Sequence, residues 1–259
     1  MNNQQNQIQE PLLSIITVVY NGANALEKTI ESVINQSYYH IEYIVIDGNS
    51  QDETLEIINK YKNQISYWTS EKDQGVYDAM NKGINAAQGD WLLFLGSDDT
   101  LATNHIISDI FSILRNEENE EDFSLIIGSV KYSNGRLIKS QFSSRLKNKN
   151  MIHHQGAFYK RDLFRDFKYN PNYKISSDYE LNLRLFLQKA RYLQIDKVVT
   201  ICGATGLSSV ASWSGYSEEI KIRNQYLSKQ ESIIYGLPSI LRFLIKKTLV
   251  TVLPKLRQN

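Results

Sequence analysis

The sequence predicts an α/β fold in which a mostly parallel central sheet is flanked by helices. Three apolar runs of strand length, at 14–20, 41–46 and 91–95, each end in a polar segment. Helical patterns follow the first two runs, over 25–34 and 54–61. Strands that alternate with helices at this spacing form βαβ units, whose strands pair in parallel. Ligands of such sheets bind beyond the carboxyl ends of the strands.

Turn and capping signals separate these elements. An Asn-Gly pair follows the first run, and an Asp-Gly pair follows the second. Ser50 and Glu53 have the capping-box spacing ahead of the helix at 54–61. In the second half, the pattern predicts a strand at 124–130, a leucine-rich helix that opens near 178, an apolar run at 198–202 and a long helical region from 213.

The run that begins at Trp91 ends in two adjacent carboxylates, Asp98 and Asp99. Two like charges this close raise each other's proton affinity unless a cation or several donors neutralise them. Hard divalent cations take oxygen ligands together with substrate phosphates, so the pair predicts a metal-assisted phosphate site. The alternative is a helix N-cap, because Ser97, Asp98 or Asp99 could cap a helix beginning near Thr103.

Four segments in order resemble the family 2 glycosyltransferases of the GT-A fold, inverting enzymes that use nucleotide-diphosphate sugars. They are SIITVVYNGANALEKTIESVINQSY at 14–38, YIVIDGNSQDET at 43–54, SEKDQGVYDAMNKGINAAQGDWLLFLGSDD at 70–99 and, more weakly, SSDYELNLRL at 176–185. Within the family the chain is most similar to bacterial polysaccharide-assembly enzymes. The resemblance therefore implies sugar transfer in the synthesis of a capsule, O-antigen or exopolysaccharide.

The resemblance also implies that the first half of the chain binds the donor, with a UDP-sugar favoured and a divalent metal, Mn²⁺ or Mg²⁺, held by Asp99. The residues it assigns to the nucleotide are Tyr20, Asn21, Asp47, Asp78, Lys82, Ser97 and Asp98. Asp47 is expected to accept the imide N–H of uracil or thymine, although Asp-Gly is also a plain turn former. The family's acid motif commonly reads Asp-x-Asp. Here Ser97 stands at its first position, which leaves open which residue contacts the ribose and which the metal.

A second departure from the family concerns a nucleotide-binding arginine. Many relatives carry Ala-Arg-Asn in a loop before the fourth strand, whereas this chain has Ala79-Met80-Asn81. Lys72, Lys82 or Asp78 is expected to do part of the work of the missing arginine.

Inverting transfer requires one base that takes a proton from the acceptor hydroxyl. Asp178 opens a predicted helix and matches the family's acid-rich motif, so it is the predicted base, with Glu180 as the second candidate. Capping of the helix is the alternative role of Asp178. His153 and His154 are predicted to precede a strand, where adjacent side chains point to opposite faces. One of the two is therefore expected to face the site, as a donor to the sugar or diphosphate or as an outer partner of the metal. An ordinary surface or core histidine is the alternative.

The predicted organisation has three parts. Residues 1–11 form a disordered lead, and 12–212 form the glycosyltransferase domain, with a nucleotide half at about 12–101 and an acceptor half at about 102–212. Residues 213–259 form a C-terminal helical segment. The small-residue stretch 203–209 has the composition of a lid over bound nucleotide, or of a plain connection.

Composition limits the partners. A net charge of +1 without a basic, aromatic stripe argues against nucleic acid. A single cysteine fits a reducing cytoplasm, and no secretory signal is visible.

No acid follows Glu231, and the mixed apolar and basic residues at 240–256 predict peripheral contact with the inner face of the plasma membrane. Since their apolar positions spread around the helical wheel, a helix packed on the domain is the alternative. The expected acceptor is a saccharide or a lipid-linked oligosaccharide.

Two other function classes share parts of this pattern. A nucleotidyltransferase that makes nucleotide sugars usually has a Gly-rich, basic phosphate loop after its first strand, and the segment 20–23, YNGA, offers neither feature. A catalytically inactive scaffold that binds nucleotide sugars is the second alternative, which the altered acid motif leaves open.

Overall fold

The computed structural model describes residues 10–203 and 213–256. The strands within these ranges are β1 (Leu13–Val19), β2 (Ile41–Asp47), β3 (Tyr67–Ser70), β4 (Trp91–Gly96), β5 (Thr100–Leu101), β6 (Leu125–Tyr132), β7 (Leu137–Ile138), β8 (Ala157–Lys160) and β9 (Tyr192–Cys202). The α-helices are α1 (Ala23–Ile34), α2 (Thr54–Tyr61), α3 (Val76–Ala86), α4 (Ile106–Arg115), α5 (Ser177–Leu187), α6 (Trp213–Tyr226) and α7 (Lys229–Leu256). Residues 1–9 of the predicted lead at 1–11, and residues 204–209 of the predicted lid at 203–209, lie outside the described residues.

The strands form one sheet in the order β3-β2-β1-β4-β8-β6-β9-β5, with β7 paired to β6. Strands β1 to β4 pair in parallel, and β9 is parallel to β6. Strand β8 is antiparallel to both of its neighbours, β4 and β6. The predicted α/β fold with a mostly parallel sheet is confirmed, and β8 joins its two parallel parts.

Apolar side chains fill both faces of the central strands, as expected for a sheet covered by helices on each side. Leu93 and Leu95 of β4 belong to one core cluster, together with residues of α1 and α4. Leu92 and Phe94 belong to a second cluster on the other face, together with Met80 of α3 and residues of α5. The strand that carries the acid pair is therefore fixed from both sides.

Several local predictions are corrected by this arrangement. The N-cap alternative for the acid pair is wrong, because β5 intervenes and α4 begins only at Ile106. Met80 lies within α3 rather than in a loop. The capping box is not formed: no side chain caps α2 at Glu53, and Asp52 accepts the Thr54 N–H at 3.1 Å instead.

The C-terminal helix α7 presents one apolar face outward. The side chains exposed on it are Ile233, Ile234, Leu237, Ile240, Leu241, Leu244 and Ile245. Because they recur at intervals of three and four residues, they lie on one side of the helix. The exposed apolar positions are thus gathered in a stripe, contrary to the expectation that they spread around the wheel. None of the described helices is long and apolar enough to cross a membrane.

Candidate active site

A cavity of about 550 Å³ opens beside the end of β4. Strand β4 and the ends of β6 and β9 form one side of it. Helices α3, α5, α6 and α7 and the irregular segments 149–155 and 174–176 contribute most of the rest. The sequence-predicted residues that line it are Asp98, Asp99, His153, His154 and Asp178. The structure therefore brings the acid pair from the first half of the chain and the predicted base from the second half to one cavity.

Asp99 is buried, with 3% of its surface exposed. Its Oδ2 accepts the Gly96 N–H at 2.7 Å, and its Oδ1 accepts the Gly203 N–H at 3.2 Å. Burial raises the pKa of Asp99, and the charge of Asp98 raises it further. Desolvation of an unpaired charge is costly, and the two amides that bind this carboxylate are neutral. A cation close to Asp99 would therefore stabilise its ionised form.

Asp98 and Ser97 point to different surroundings. Asp98 lines the cavity and lies against Gly203, where an added Cβ would stand 1.9 Å from its Oδ2. Glycine at position 203 thus lets the end of β9 approach the acid pair. Ser97 does not line the cavity, and its Oγ would lie 3.0 Å from a Cβ added at Gly22. Of the three residues in the motif, the two acids face the cavity.

Asp178 is a buried carboxylate, 7% exposed, at the start of α5. The Tyr77 hydroxyl lies 3.0 Å from its Oδ1, and Asn150 Nδ2 donates to its Oδ2 at 2.9 Å. His154 Nδ1 lies 3.3 Å from the same Oδ2. The capping alternative is wrong, because no side chain caps α5 and this carboxylate contacts three side chains from two other segments, α3 and the segment before β8.

Tyr77 keeps its proton in this arrangement. Burial raises the pKa of its hydroxyl well above the ordinary value, and the charge of Asp178 adds to this effect. The hydroxyl also lies 2.7 Å from the carbonyl oxygen of Ile175. Tyr77 therefore links α3 to the segment that leads into α5 and helps to fix the position of Asp178.

Both histidines line the cavity, whereas the sequence predicted that only one would. The reason is local geometry: His154 begins a 3₁₀ turn, His154–Gly156, so the pair does not lie in an extended strand with alternating faces. Burial lowers the pKa of His153, and the neighbouring His154 lowers it further. His153 is thus held in the neutral form.

Glu180, the second candidate for the base, lies outside the cavity lining. Its Oε1 accepts the Tyr226 hydroxyl of α6 at 2.8 Å. Burial raises the pKa of Glu180. This carboxylate therefore connects α5 to α6, and it lies on a different face of α5 from Asp178.

The remaining nucleotide candidates lie at the ends of β1 and β2 or on α3, outside the cavity lining. Tyr20 is 63% exposed, and Asn21 has a positive φ of 50°. Asp47 is 0% exposed and accepts the Ser50 N–H at 3.0 Å, the Ser70 hydroxyl at 2.6 Å and the Ser50 hydroxyl. Asp47 thus fixes the loop between β2 and α2.

Asp78 and Lys82 stabilise the start of α3. Asp78 Oδ2 accepts the Gln74 N–H at 3.1 Å. Lys82 Nζ lies 3.0 Å from Glu71 Oε1 and donates to the Lys72 carbonyl at 2.9 Å. Both side chains therefore have partners within the segment that links β3 to α3.

Residues 14–168 match glycosyl transferase family 2. The chain belongs to this family. A PGL/p-HBAD biosynthesis glycosyltransferase of Mycobacterium bovis is 34% identical over 194 residues, which cover 71% of this chain and 75% of that protein. An uncharacterized glycosyltransferase of Haemophilus influenzae is 39% identical over 109 residues, covering 41% and 44% of the two chains.

Solved structures share the fold of this glycosyltransferase. S. aureus TarS 1–349 aligns with a TM-score of 0.71 at 19% identity, covering 92% of this chain and 74% of that one. The mannosyltransferase PcManGT of Pyrobaculum calidifontis, solved with GDP-Man and Mn²⁺, aligns with a TM-score of 0.62 at 13% identity, covering 97% and 82%. The GT-A fold predicted from the sequence is confirmed.

Sequence reasoning missed several residues of this glycosyltransferase's cavity. Tyr77 lies in the quoted motif at 70–99 but received no role, and Asn150 lies in an irregular segment without any motif. The cationic residues Lys149, Lys174 and Arg242 also line the cavity. They come from segments far apart in sequence, so only the tertiary structure brings them together.

Proposed function

We propose that this glycosyltransferase moves a sugar from a nucleotide-diphosphate sugar, with UDP as the favoured nucleotide, to an acceptor hydroxyl with inversion. The observation that carries the proposal is the single cavity that joins Asp98 and Asp99 to Asp178. The acid pair stands at the carboxyl end of a parallel strand, where α/β folds bind nucleotides. Asp178 comes from the other half of the chain, which leaves space between the two for donor and acceptor.

In the proposed reaction Asp178 accepts the proton of the acceptor hydroxyl as its oxygen attacks the anomeric carbon. The new carbon–oxygen bond forms on the face opposite the leaving diphosphate, which departs with the electron pair of the broken bond. One displacement of this kind inverts the anomeric centre. Tyr77, Asn150 and His154 position the Asp178 carboxylate through the contacts at 2.9 to 3.3 Å.

The acid pair fits a divalent cation, Mn²⁺ or Mg²⁺, bound by Asp99 with Asp98 beside it. The support is the buried, unpaired charge of Asp99 and the hard oxygen donors, which such cations prefer. The described residues contain no group of three or more histidines, cysteines or acids placed to hold a metal. Phosphate oxygens of the donor would therefore complete the ligand set. When bound, the cation supplies Lewis-acid stabilisation of the leaving diphosphate.

The direct test is incubation with a panel of nucleotide sugars, with and without Mn²⁺. Release of a nucleoside diphosphate, accelerated by an acceptor, is the expected result. Pyrophosphorolysis would instead support a nucleotidyltransferase, and binding without turnover would support an inactive scaffold. Either result would overturn the proposal.

A further prediction concerns the nucleotide base. Asp47→Ala is expected to weaken UDP binding by about 1.5 to 3 kcal/mol, the range for a lost charge-assisted hydrogen bond. Calorimetric titration with UDP measures this loss. Unchanged affinity, or preference of the unmutated protein for GDP, would contradict the assignment.

Ser70→Ala separates direct recognition of the base from loop support. This change removes a donor to the Asp47 carboxylate, at 2.6 Å in the structure, without removing the carboxylate. If Asp47 contacts the base, Ser70→Ala leaves UDP affinity near normal. If Asp47 acts only by fixing its loop, both changes weaken UDP binding together.

The proposed acceptor is a saccharide or lipid-linked oligosaccharide of bacterial cell-surface polysaccharide synthesis, reached at the cytoplasmic face of the plasma membrane. The support is the exposed apolar stripe on α7. Lys229 and Lys247 belong to the same helix, and no acid follows Glu231. Apolar burial combined with basic charge is the pattern of a helix that lies on an anionic membrane.

Replacing the outward residues Leu237, Leu241 and Leu244 by glutamine together is expected to weaken binding to anionic vesicles about tenfold or more, since their apolar burial is lost. Co-sedimentation with phosphatidylglycerol vesicles measures it, and added salt should also weaken binding of the unmutated chain. Leu137→Gln is the matched control, because Leu137 is exposed on β7. Failure of the unmutated chain to bind vesicles would contradict the proposed membrane contact.

A further inference from the structure

One part of the cavity is cationic and has no role in the chemistry proposed so far. Lys149, Lys174 and Arg242 line it, together with a single acid from α6, Glu219. We infer that these cations bind a phosphate group carried by the acceptor. The inference rests on the proposed function, because it assigns the acceptor of the same cavity.

Arg242 is the fixed member of this cationic group. Its Nη2 donates to the Ser239 hydroxyl at 2.7 Å, to Glu219 Oε2 at 3.1 Å and to the Asn148 carbonyl at 3.2 Å. Its Nε is buried and has no hydrogen-bond partner within the described residues, and the hydrogen bonds of the guanidinium use Nη2, which leaves Nη1 without a hydrogen bond to a described residue. The planar group is thus held in place with donors left over, which suits a tetrahedral oxyanion.

The carboxylate beside Arg242 does not cancel the local charge. Glu219 Oε2 also lies 3.5 Å from Nη1 of Arg223, which is completely buried. One carboxylate therefore faces two guanidinium groups. Lys149 and Lys174 are exposed at the cavity, and neither forms an ion pair with a described residue. Lys149, Lys174, Arg223 and Arg242 outnumber Glu219 within this group, while the Glu218 carboxylate accepts the Lys174 N–H and the other acids of the lining, Asp98, Asp99 and Asp178, belong to the proposed donor site and base. A local excess of cations attracts anions.

The position of the cations points to the acceptor rather than to the donor. Lys149 is next to Asn150, which donates to Asp178, and Lys174 is next to Ile175, whose carbonyl faces the Tyr77 hydroxyl. The cations thus belong to the same segments that position the proposed base. They are not on the strand ends that carry Asp98 and Asp99. A phosphate held there would lie on the side of the acceptor hydroxyl.

Two kinds of acceptor carry such a phosphate group: a small phosphorylated sugar or polyol, and a glycan that is joined to a lipid through a phosphate. The test is a ³¹P NMR titration with sn-glycerol 1-phosphate, in buffer freed of divalent metal by a chelating resin. A parallel titration uses geranyl phosphate in dodecyl maltoside micelles. Binding of both with similar affinity indicates a free phosphate, whereas markedly tighter binding of geranyl phosphate indicates the lipid source.

Combined Lys149→Gln and Lys174→Gln substitution is expected to weaken binding of the tighter probe about tenfold or more, since charge-assisted contacts are lost. Arg242→Gln should do the same, and Arg242→Lys should restore part of the affinity. The matched control is combined Lys139→Gln and Lys197→Gln substitution, because these lysines pair with Asp196 and Asp109 on the surface. Thermal melting identifies any variant that fails to fold. The combined substitution of Lys149 and Lys174 tests the inference even if the Arg242 variants do not fold.

UDP binding in the presence of Mn²⁺ separates this inference from the proposed function. The lysine variant is expected to bind UDP like the unmutated protein. Failure of the unmutated chain to bind either phosphate probe would overturn the inference while leaving donor binding in place. Loss of UDP affinity in the lysine variant, with unchanged phosphate binding, would also overturn it, because the cations would then serve the donor diphosphate. Absence of UDP binding in the unmutated protein would instead refute the proposed function.

Discussion

Asp178→Asn is expected to slow sugar transfer by about a hundredfold to ten-thousandfold, the range for losing a general base. Asparagine keeps the size of the side chain and can still accept a hydrogen bond from Tyr77, but it cannot take a proton from the acceptor. UDP affinity should be unchanged, because the donor is assigned to the strand ends of the first half. Transfer rate and UDP binding, measured on the same preparation, would therefore separate.

Glu180→Gln is the matched control for this prediction. Glu180 lies two residues further along α5, yet its carboxylate bonds to Tyr226 outside the cavity. Its replacement is expected to leave the transfer rate within a small factor of normal. Product stereochemistry by NMR provides a second readout, since a single displacement inverts the anomeric centre. A normal rate in Asp178→Asn would shift the role of base to His154, whose Nδ1 lies 3.3 Å from Asp178. Retention of configuration would contradict the single displacement itself.

Elements governed by local pattern could be predicted from the sequence. Helix α2 has the predicted bounds, Thr54–Tyr61, and the three N-terminal apolar runs became β1, β2 and β4. Their hydrophobic period and turn residues are local signals, and parallel pairing follows from the alternation with helices. The acid pair at the end of β4 was found for the same reason, because its position along the strand determines its edge of the sheet.

The contacts of the acceptor half could not be predicted in this way. Asp178 meets Tyr77, which is distant in sequence, and Asn150, which lies in an irregular segment. Neither contact has a periodic signal, because each arises when α3, α5 and the segment before β8 pack together. The strand geometry expected for His153 and His154 was wrong because a 3₁₀ turn replaces the strand at that point. A turn of four residues or fewer leaves little trace in hydrophobic periodicity.

The outward stripe on α7 illustrates a second limit of sequence. The helix carries apolar residues on several sides, so its sequence alone gave no single face. Packing resolves this, because Ser239 and Arg242 turn inward to Glu219 while Leu237 and Leu241 remain exposed. One helix thus contributes a cation to the cavity and an apolar surface to solvent. This arrangement would place the phosphate-binding end of the cavity next to a membrane-bound acceptor.

The different environments of Asp98 and Asp99 predict which of the two acids holds the cation. Asp99 and Asp98 differ in burial, and the carboxylate of Asp99 is hydrogen-bonded to the Gly96 and Gly203 amides and to the Cys202 thiol. Asp98 is more open and faces the cavity beside Gly203. If the cation is held mainly by Asp99, the two acids will respond differently to replacement. The family's usual first acid is Ser97 here, so this chain has no third carboxylate in the motif to compensate.

Asp99→Asn is expected to reduce turnover about a thousandfold or more, because the Lewis acid that stabilises the leaving diphosphate is lost. The enhancement of UDP affinity by Mn²⁺ should disappear with it, as measured by calorimetric titration with and without the metal. Asp98→Asn should retain part of that enhancement, and Asp196→Asn is the control, since Asp196 is exposed on β9. Thermal melting must show a folded Asp99→Asn protein, because the new amide faces two backbone donors. Full activity of the unmutated enzyme in excess chelator, or of folded Asp99→Asn, would show that the transfer does not depend on a metal at Asp99.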